Sequence, residues 1–330
     1  MKLSLIIPVY NRPDEIEELL ESLTKQTETN YDIVIVEDGS QVKCDDIIER
    51  YNDKLDIKYF FKPNSGPGQS RNYGAERATG DYVIFLDSDC VIPEKYIQEV
   101  NTELKNDYVD CFGGPDAAHS SFTDIQKAIN YSMTSFITTG GIRGKKNGLD
   151  KFFPRSFNMG YSKEVLEKTG GFGKMRFGED IDMSLRIIEN GFGTRLFDKA
   201  FVYHKRRTNF RQFYKQVNNS GIARINLYKL HPQSLKLVHF LPAVFVVGLV
   251  LLALFSVFIH YSFAFLLLIL FAVIFIDSLI KNKSINVAFY SIIASFIQLT
   301  SYGVGFIKTF WKRVILKEKE FASFTKNFYK

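Results

Sequence analysis

Residues 237–259, 263–280 and 285–307 form three long apolar runs, and they decide how the rest of the chain must be read. The first has 23 residues with His239 as its sole ionisable side chain, the second 18 with Asp277 near its end, and the third 23 without a charge. Each is about long enough to cross a hydrocarbon core of ~30 Å as a helix. The third carries Ser291, Ser295, Gln298 and Ser301 at helical spacing. It is therefore either a span packed against the others or a re-entrant or interfacial helix.

Charge divides the chain at the same place. Residues 1–204 carry 25 Lys/Arg against 33 Asp/Glu, a net of −8, and residues 205–330 carry 17 against 3, a net of +14. The basic residues flank apolar runs and do not interleave with exposed aromatics, so nucleic acid is not the expected partner, and an anionic bilayer fits better. The stretch before residue 237 and Lys281-Asn282-Lys283 read as cytoplasmic, with His260-Tyr261-Ser262 outside. Three crossings then put the tail outside, whereas Lys308, Lys312, Arg313, Lys317 and Lys319 argue for inside. We expect a multi-pass protein of the inner (cytoplasmic) membrane with three embedded helices, the crossing of the third left open. Asn11-Arg12-Pro13-Asp14 follows the first short apolar run at once, which does not read as a cleavable signal, so the front domain is expected in the cytoplasm. Cys44, Cys90 and Cys111 are widely spaced and are expected to be reduced structural thiols.

The front alternates. Residues 3–9, 33–36, 57–61 and 82–86 read as buried strands, and 14–26, 45–51 and 67–78 as helices. Strand and helix in turn, with continuous apolar strands, imply a mainly parallel α/β sheet covered on both faces. Ligands bind such sheets beyond the C-terminal strand edges. Three polar clusters fall on that rim: Pro8-Val9-Tyr10-Asn11, Glu37-Asp38-Gly39-Ser40 and Asp87-Ser88-Asp89. Two carboxylates bracketing one residue either hold a hard divalent cation and through it a diphosphate, or are solvated acids in a turn. The Gly66 to Gly74 loop is neither a dinucleotide fingerprint nor a P-loop. It either binds an anion with Arg71 as a positive clamp or is an ordinary glycine-rich helix start.

Together with Gly66 to Asn72, Phe157-Asn158-Met159-Gly160 and Gly178-Glu179-Asp180, these clusters resemble, in order, the family 2 inverting glycosyltransferases of GT-A fold. The resemblance covers residues 1 to about 210. It implies a Rossmann-like nucleotide-binding sheet, with Asp38 contacting the base, Pro8 and Tyr10 lining a uridine pocket beside Asn11, and Asp87 and Asp89 reaching the ribose and a metal on the diphosphate. Mn²⁺ or Mg²⁺ suits such carboxylates. By the same resemblance Asp180 is the catalytic base, Glu179 helps to bind the acceptor along with Asn158, Met159 and Gly160, and His204 stands near the metal. As residues alone, acids before the amphipathic stretch 181–188 also read as helix caps, and a lone histidine also reads as structural.

The glycine-rich basic loop 140–148 is either an acceptor lid or a surface loop, and Arg206 and Arg207 are expected either to bind phosphates of the donor or of a lipid acceptor or to anchor to headgroups. Residues 210–217 read as a basic interfacial helix. Expected domains are thus 1–208 for the catalytic unit, 209–235 for an interfacial segment, 236–310 for the membrane region and 311–330 for a basic tail. Cellulose-type processive synthases carry Gln-x-x-Arg-Trp near residue 210, and here the sole tryptophan is Trp311, which argues against polymerisation. The leading reading is transfer of one sugar from a nucleotide diphosphate donor, UDP-linked, to a lipid-linked saccharide at the cytoplasmic face in surface polysaccharide synthesis. The alternatives are a polyprenyl-phosphate glycosyltransferase, a nucleotidyltransferase, and a non-catalytic membrane scaffold with a relic sugar-nucleotide domain.

Overall fold

The computed structural model describes residues 1–117, 122–139, 152–205 and 207–319. The loop 140–148 and Arg206 lie outside the described residues. The chain forms two compact units, the first from 1–117 and 152–204 and the second from 122–139, 205 and 207–319. The expected unbroken domain 1–208 is thus interrupted, because residues 122–139 find their apolar partners in the second unit. Nothing local in that stretch announces which core it joins.

Among the described residues, ten strands lie in the first unit: β1 (Leu3–Val9), β2 (Tyr31–Asp38), β3 (Ile57–Lys62), β4 (Tyr82–Leu86), β5 (Cys90–Val91), β6 (Cys111–Gly113), β7 (Asp116–Ala117), β8 (Asn158–Ser162), β9 (Thr194–Leu196) and β10 (Val202–His204). The main sheet has the order β3-β2-β1-β4-β8-β6-β9 and is parallel except for β8. Helices α1 (Pro13–Leu23), α2 (Asp45–Glu49), α3 (Pro67–Ala75) and α4 (Tyr96–Asn106) connect the early strands. After α5 (Asp124–Thr134) and α6 (Phe136–Thr139), which belong to the second unit, α7 (Lys163–Thr169) and α8 (Glu179–Glu189) return to the sheet.

Alternation along β1 builds both core layers. Leu3, Leu5 and Ile7 meet Ile16, Leu19, Leu20 and Leu23 of α1 with Ile97 and Val100 of α4. Ile6 faces the other way, into a cluster with Val83, Phe85, Met183 and Ile187. Each such fully buried aliphatic side chain contributes about 1.5–3 kcal/mol. Sheets covered on both sides need apolar residues at every strand position, and all eight residues of β2 are buried. A β-carbon at Gly74 would stand 2.5 Å from Ile6 Cγ2, so only glycine lets α3 lie this close to the sheet. Leu3 pairs with both Tyr31 and Tyr82. That common register delivers the C-terminal ends of β1, β2 and β4 to one edge.

The second unit is helical, with α9 (Phe210–Leu230), α10 (Leu241–Phe258), α11 (Phe265–Asn282) and α12 (Ile285–Phe310). Among the described residues, three stretches are long and apolar enough to cross a membrane: Leu237–Phe258, Tyr261–Asn282 and Ile285–Ile315. They differ in packing, since 6%, 11% and 39% of their most apolar portions are buried. The third is the hub of this unit, with its Val287 and Ala294 packed among Ala128, Ile129 and Met133 of α5 and Phe213 and Val217 of α9.

Candidate active site

The rim is organised first by two buried acids at the end of β2. Glu37 accepts from Ser40 Oγ, from the Cys44 backbone N–H at 3.0 Å and from Tyr59 Oη at 3.1 Å. Asp38, 2% exposed, accepts from Lys62 Nζ and from the backbone N–H groups of Ser65 and Gly66, both at 2.9 Å. Its carboxylate therefore shapes the loop leading into α3, whose Gly66 sits at φ 93°, where a side chain is strained. Asn11, at φ 51°, takes the backbone N–H groups of Gln41 and Val42 on its Oδ1 at 2.7 and 3.0 Å. That ties the loop after β1 to the loop after β2. Pro8 and Tyr10 are half-buried beside it.

Backbone pairing then closes the acidic end. In the small sheet β5-β10-β7, His204 pairs with Cys90, which brings the imidazole back to the Asp-Ser-Asp turn. His204 Nε2 lies 3.1 Å from Asp89 Oδ1 and 3.9 Å from Asp87 Oδ2, and its ring stacks on Phe157 at 4.8 Å. Ligand atoms of Asp89, Cys90 and His204 fall within 4.8 Å of one another. Cys90 is 1% exposed, and burial, reinforced by the charges of Asp89 and Asp87, pushes its thiol pKa well up. It stays protonated. That leaves the Asp89 carboxylate and the imidazole of this group, with Asp87 Oδ2 3.9 Å from His204 Nε2 as a further oxygen nearby, and oxygen and imidazole donors suit Mn²⁺ or Mg²⁺ better than a thiolate-seeking ion.

Arg71 links this end to α8. It is 3% exposed and donates to Asp87 Oδ1 at 2.6 Å and to Glu179 Oε1 at 3.1 Å, with its guanidinium 5.4 Å from the Phe172 ring centroid. Burial disfavours its charge, yet Asp87 and Glu179 outweigh burial and hold the pKa above the usual value. Glu179 responds oppositely. Burial and then the neighbouring Asp180 carboxylate raise it to about 7, Arg71 offsetting only part. Asp180 faces elsewhere, with Oδ2 3.4 Å from Arg155 Nε. Adjacent acids at one helix start thus have different surroundings.

Three residues expected at the acceptor are placed inside the sheet. Asn158 is fully buried, accepting from Tyr96 Oη at 2.6 Å and donating to the Ala200 carbonyl at 2.8 Å. Met159 is fully buried in the core between sheet and helices, and a β-carbon at Gly160 would run into the Phe112 ring. All three lie in β8, which pairs with β4 and β6, and each is held there by the packing of the sheet. The sequence reading missed Arg12, 3.9 Å from Asp89 Oδ2, and Arg155. Both flank quoted motifs, at Asn11 and at Phe157, and a cation beside an acidic rim was the available signal.

Comparison with known proteins gives the family and the fold. The sequence profile for Glycosyl transferase family 2 matches residues 4–170. An uncharacterized glycosyltransferase of Haemophilus influenzae is 30% identical over 57% of this chain and 62% of its own length. The Staphylococcus aureus poly(ribitol-phosphate) beta-N-acetylglucosaminyltransferase TarS is 37% identical over 33% of this chain and 20% of its own. The chain spans between 13% and 62% of the lengths of such curated relatives. Among solved structures, the mannosyltransferase PcManGT from Pyrobaculum calidifontis, in complex with GDP-Man and Mn²⁺, superposes with a TM-score of 0.66 at 15% identity, over 94% of this chain and 88% of that one. The fold is GT-A, and with half of its length matched by the family profile the chain belongs to glycosyl transferase family 2.

Proposed function

We propose that this glycosyltransferase is a membrane-anchored, inverting, non-processive enzyme. It moves one sugar from a nucleotide diphosphate donor to a lipid-linked saccharide at the cytoplasmic face of the inner membrane, in surface polysaccharide synthesis. The observation that carries the reading is the rim shared by Asp87, Asp89 and His204 at one end and Asp180 at the other, joined through Arg71 and Glu179. Inverting transfer needs a leaving-group site and a base on opposite sides of the anomeric carbon.

In this reading Asp180 takes the proton of the acceptor hydroxyl. The hydroxyl oxygen forms its bond to the anomeric carbon as the bond to the diphosphate breaks, and the nucleoside diphosphate leaves with inversion. A divalent cation bound by Asp87, Asp89 and His204 would neutralise charge on the departing diphosphate. Arg71 adds a fixed positive charge at the same end and orients Asp87. Glu179, held by Arg71, positions the acceptor beside Asp180. Asp38 shapes the wall of the nucleotide pocket by holding residues 62–66, and Pro8, Tyr10 and Asn11 complete that wall. A UDP-linked donor is the first to test, since a TarS structure of TM-score 0.50 holds UDP-GlcNAc, and the GDP-Man held by the Pyrobaculum structure makes GDP-linked donors the second.

The test is nucleotide release and product mass, using the purified full chain with a panel of nucleotide sugars and Mn²⁺. Polyprenyl-diphosphate saccharide and polyprenyl phosphate are offered as separate acceptors. Transfer to the first supports the reading, transfer to polyprenyl phosphate alone replaces the acceptor, and inertness with every donor contradicts enzymatic transfer.

A further inference from the structure

We propose that α12 does not cross the bilayer but lies along its surface, docked through one apolar stripe on a membrane containing anionic lipid. The inference rests on membrane attachment through α10 and α11 and is independent of donor and acceptor.

The helix is amphipathic in an inverted sense. Ser291, Ser295 and Ser301 are fully buried, and Ser291 Oγ lies 2.7 Å from Ser278 Oγ of α11. Ile285, Phe289, Ile293, Phe296, Ile307 and Trp311 are 37–62% exposed and recur at helical spacing. The three serines of the polar stripe thus face protein, and the apolar side chains of the other side stay partly exposed, with Phe289 also meeting Phe275 of α11 and Phe296 meeting Phe245 of α10 and Phe271 of α11.

What runs beside α12 decides its orientation. The Phe210 ring sits 6.2 Å from the Tyr290 ring, Asn218 Nδ2 donates to the Ser301 carbonyl at 3.0 Å, and Arg313 donates to Asn226 Oδ1 at 2.6 Å. These contacts advance together along both chains, so α9 follows α12 for most of its length. Helix α9 carries Arg211, Lys215 and Arg224, the first two exposed. If α12 crossed the bilayer, α9 would cross beside it, and its cations would have to be carried into the hydrocarbon, where charge is costly. Lying in the plane removes that cost. Arg211 and Lys215 then reach headgroups while the apolar stripe enters the acyl boundary.

This orientation also removes the topological conflict in the sequence. With α10 leaving and α11 returning, Lys308, Lys312, Arg313, Lys317 and Lys319 stay on the side of Lys281-Asn282-Lys283, as the positive-inside rule asks.

Depth-dependent fluorescence tests it, because Trp311 is the sole tryptophan. The full chain and a Trp311→Phe/Phe296→Trp variant are reconstituted in phosphatidylcholine/phosphatidylglycerol vesicles brominated at shallow or deep acyl positions. Expected is stronger quenching by the shallow bromolipid at both sites. Stronger deep quenching at residue 296, the middle of α12, overturns the proposal, and so does an absence of quenching in vesicles that retain the protein. A Lys319→Cys variant read with a membrane-impermeant maleimide in inverted vesicles is an independent check. Labelling is expected, and protection until detergent is added overturns it. Failure of the protein to stay with vesicles would instead defeat the anchoring reading.

Discussion

His204 Nε2 stands 3.1 Å from Asp89 Oδ1 because β10 pairs with β5, which sets His204 opposite Cys90. The contact is made by backbone hydrogen bonding between distant segments, so the imidazole is oriented before any cation arrives. Phe157 stacked on the ring fixes its plane.

Removing one donor from this set should weaken the cation more than the fold. His204→Ala and Asp89→Asn are each expected to raise the Mn²⁺ concentration for half-maximal activity about 10–100-fold, the range typical of perturbed metal sites. Titrating Mn²⁺ against nucleotide release, with thermal unfolding as control, checks this. An unchanged Mn²⁺ requirement in both variants counts against the assignment.

Arg71 is buried between two acids, so its loss leaves charges without their partner. Arg71→Met should destabilise the protein by about 3–5 kcal/mol, as removal of one side of a buried ion pair does. Adding Glu179→Gln should restore part of that, because the second acid no longer needs a cation. Melting temperatures of the two variants in detergent decide it, and equal melting of single and double variants would show that Glu179 does not depend on Arg71.

Stability should also fall as pH rises toward neutrality. Burial and the Asp180 carboxylate raise Glu179 from its ordinary value of 4.5 to about 7, so its protonated form is the one the fold favours. Its stabilising contribution is fully present below about pH 4.5 and is lost as pH rises through about 7, a difference on the order of 3 kcal/mol. In metal-free buffer, Glu179→Gln should flatten unfolding free energy between pH 5 and pH 8. A slope identical to the parent's over that range would assign the titration elsewhere.

Asn158 offers a test of whether its amide serves the fold or the acceptor. Asn158→Ala leaves the hydroxyl of Tyr96 and the carbonyl of Ala200 without their buried partner, a cost of about 1–3 kcal/mol. Lower melting with an unchanged KM for acceptor is expected. A raised acceptor KM at unchanged melting would return Asn158 to the acceptor site.

The strands and their rim were legible because a sheet covered on both faces demands unbroken apolar runs, and 3–9 and 82–86 are such runs. Asp87, Asp89, Arg71, Glu179 and Asp180 could be singled out as candidates because each sits where a strand ends or a helix begins. Other features were hidden for identifiable reasons. Asn158 in a string looks like any polar residue of a motif, and only its burial shows that its amide is spent inside the sheet. The divergence of Glu179 from Asp180 depends on which one points at Arg71, a matter of helix phase. The attachment of α5 to the second unit depends on apolar partners far along the chain. Whether 285–307 crosses or lies flat depends on α9, which no inspection of that run alone reveals.

The most direct measurement is transfer by Asp180→Asn with donor binding followed separately. The expected result is a loss of turnover of about 10²–10⁴-fold, the usual contribution of a positioned base, with nucleotide-sugar affinity and melting temperature close to the parent's. Near-normal transfer by a folded, donor-binding Asp180→Asn protein would contradict the central claim that Asp180 receives the acceptor's proton.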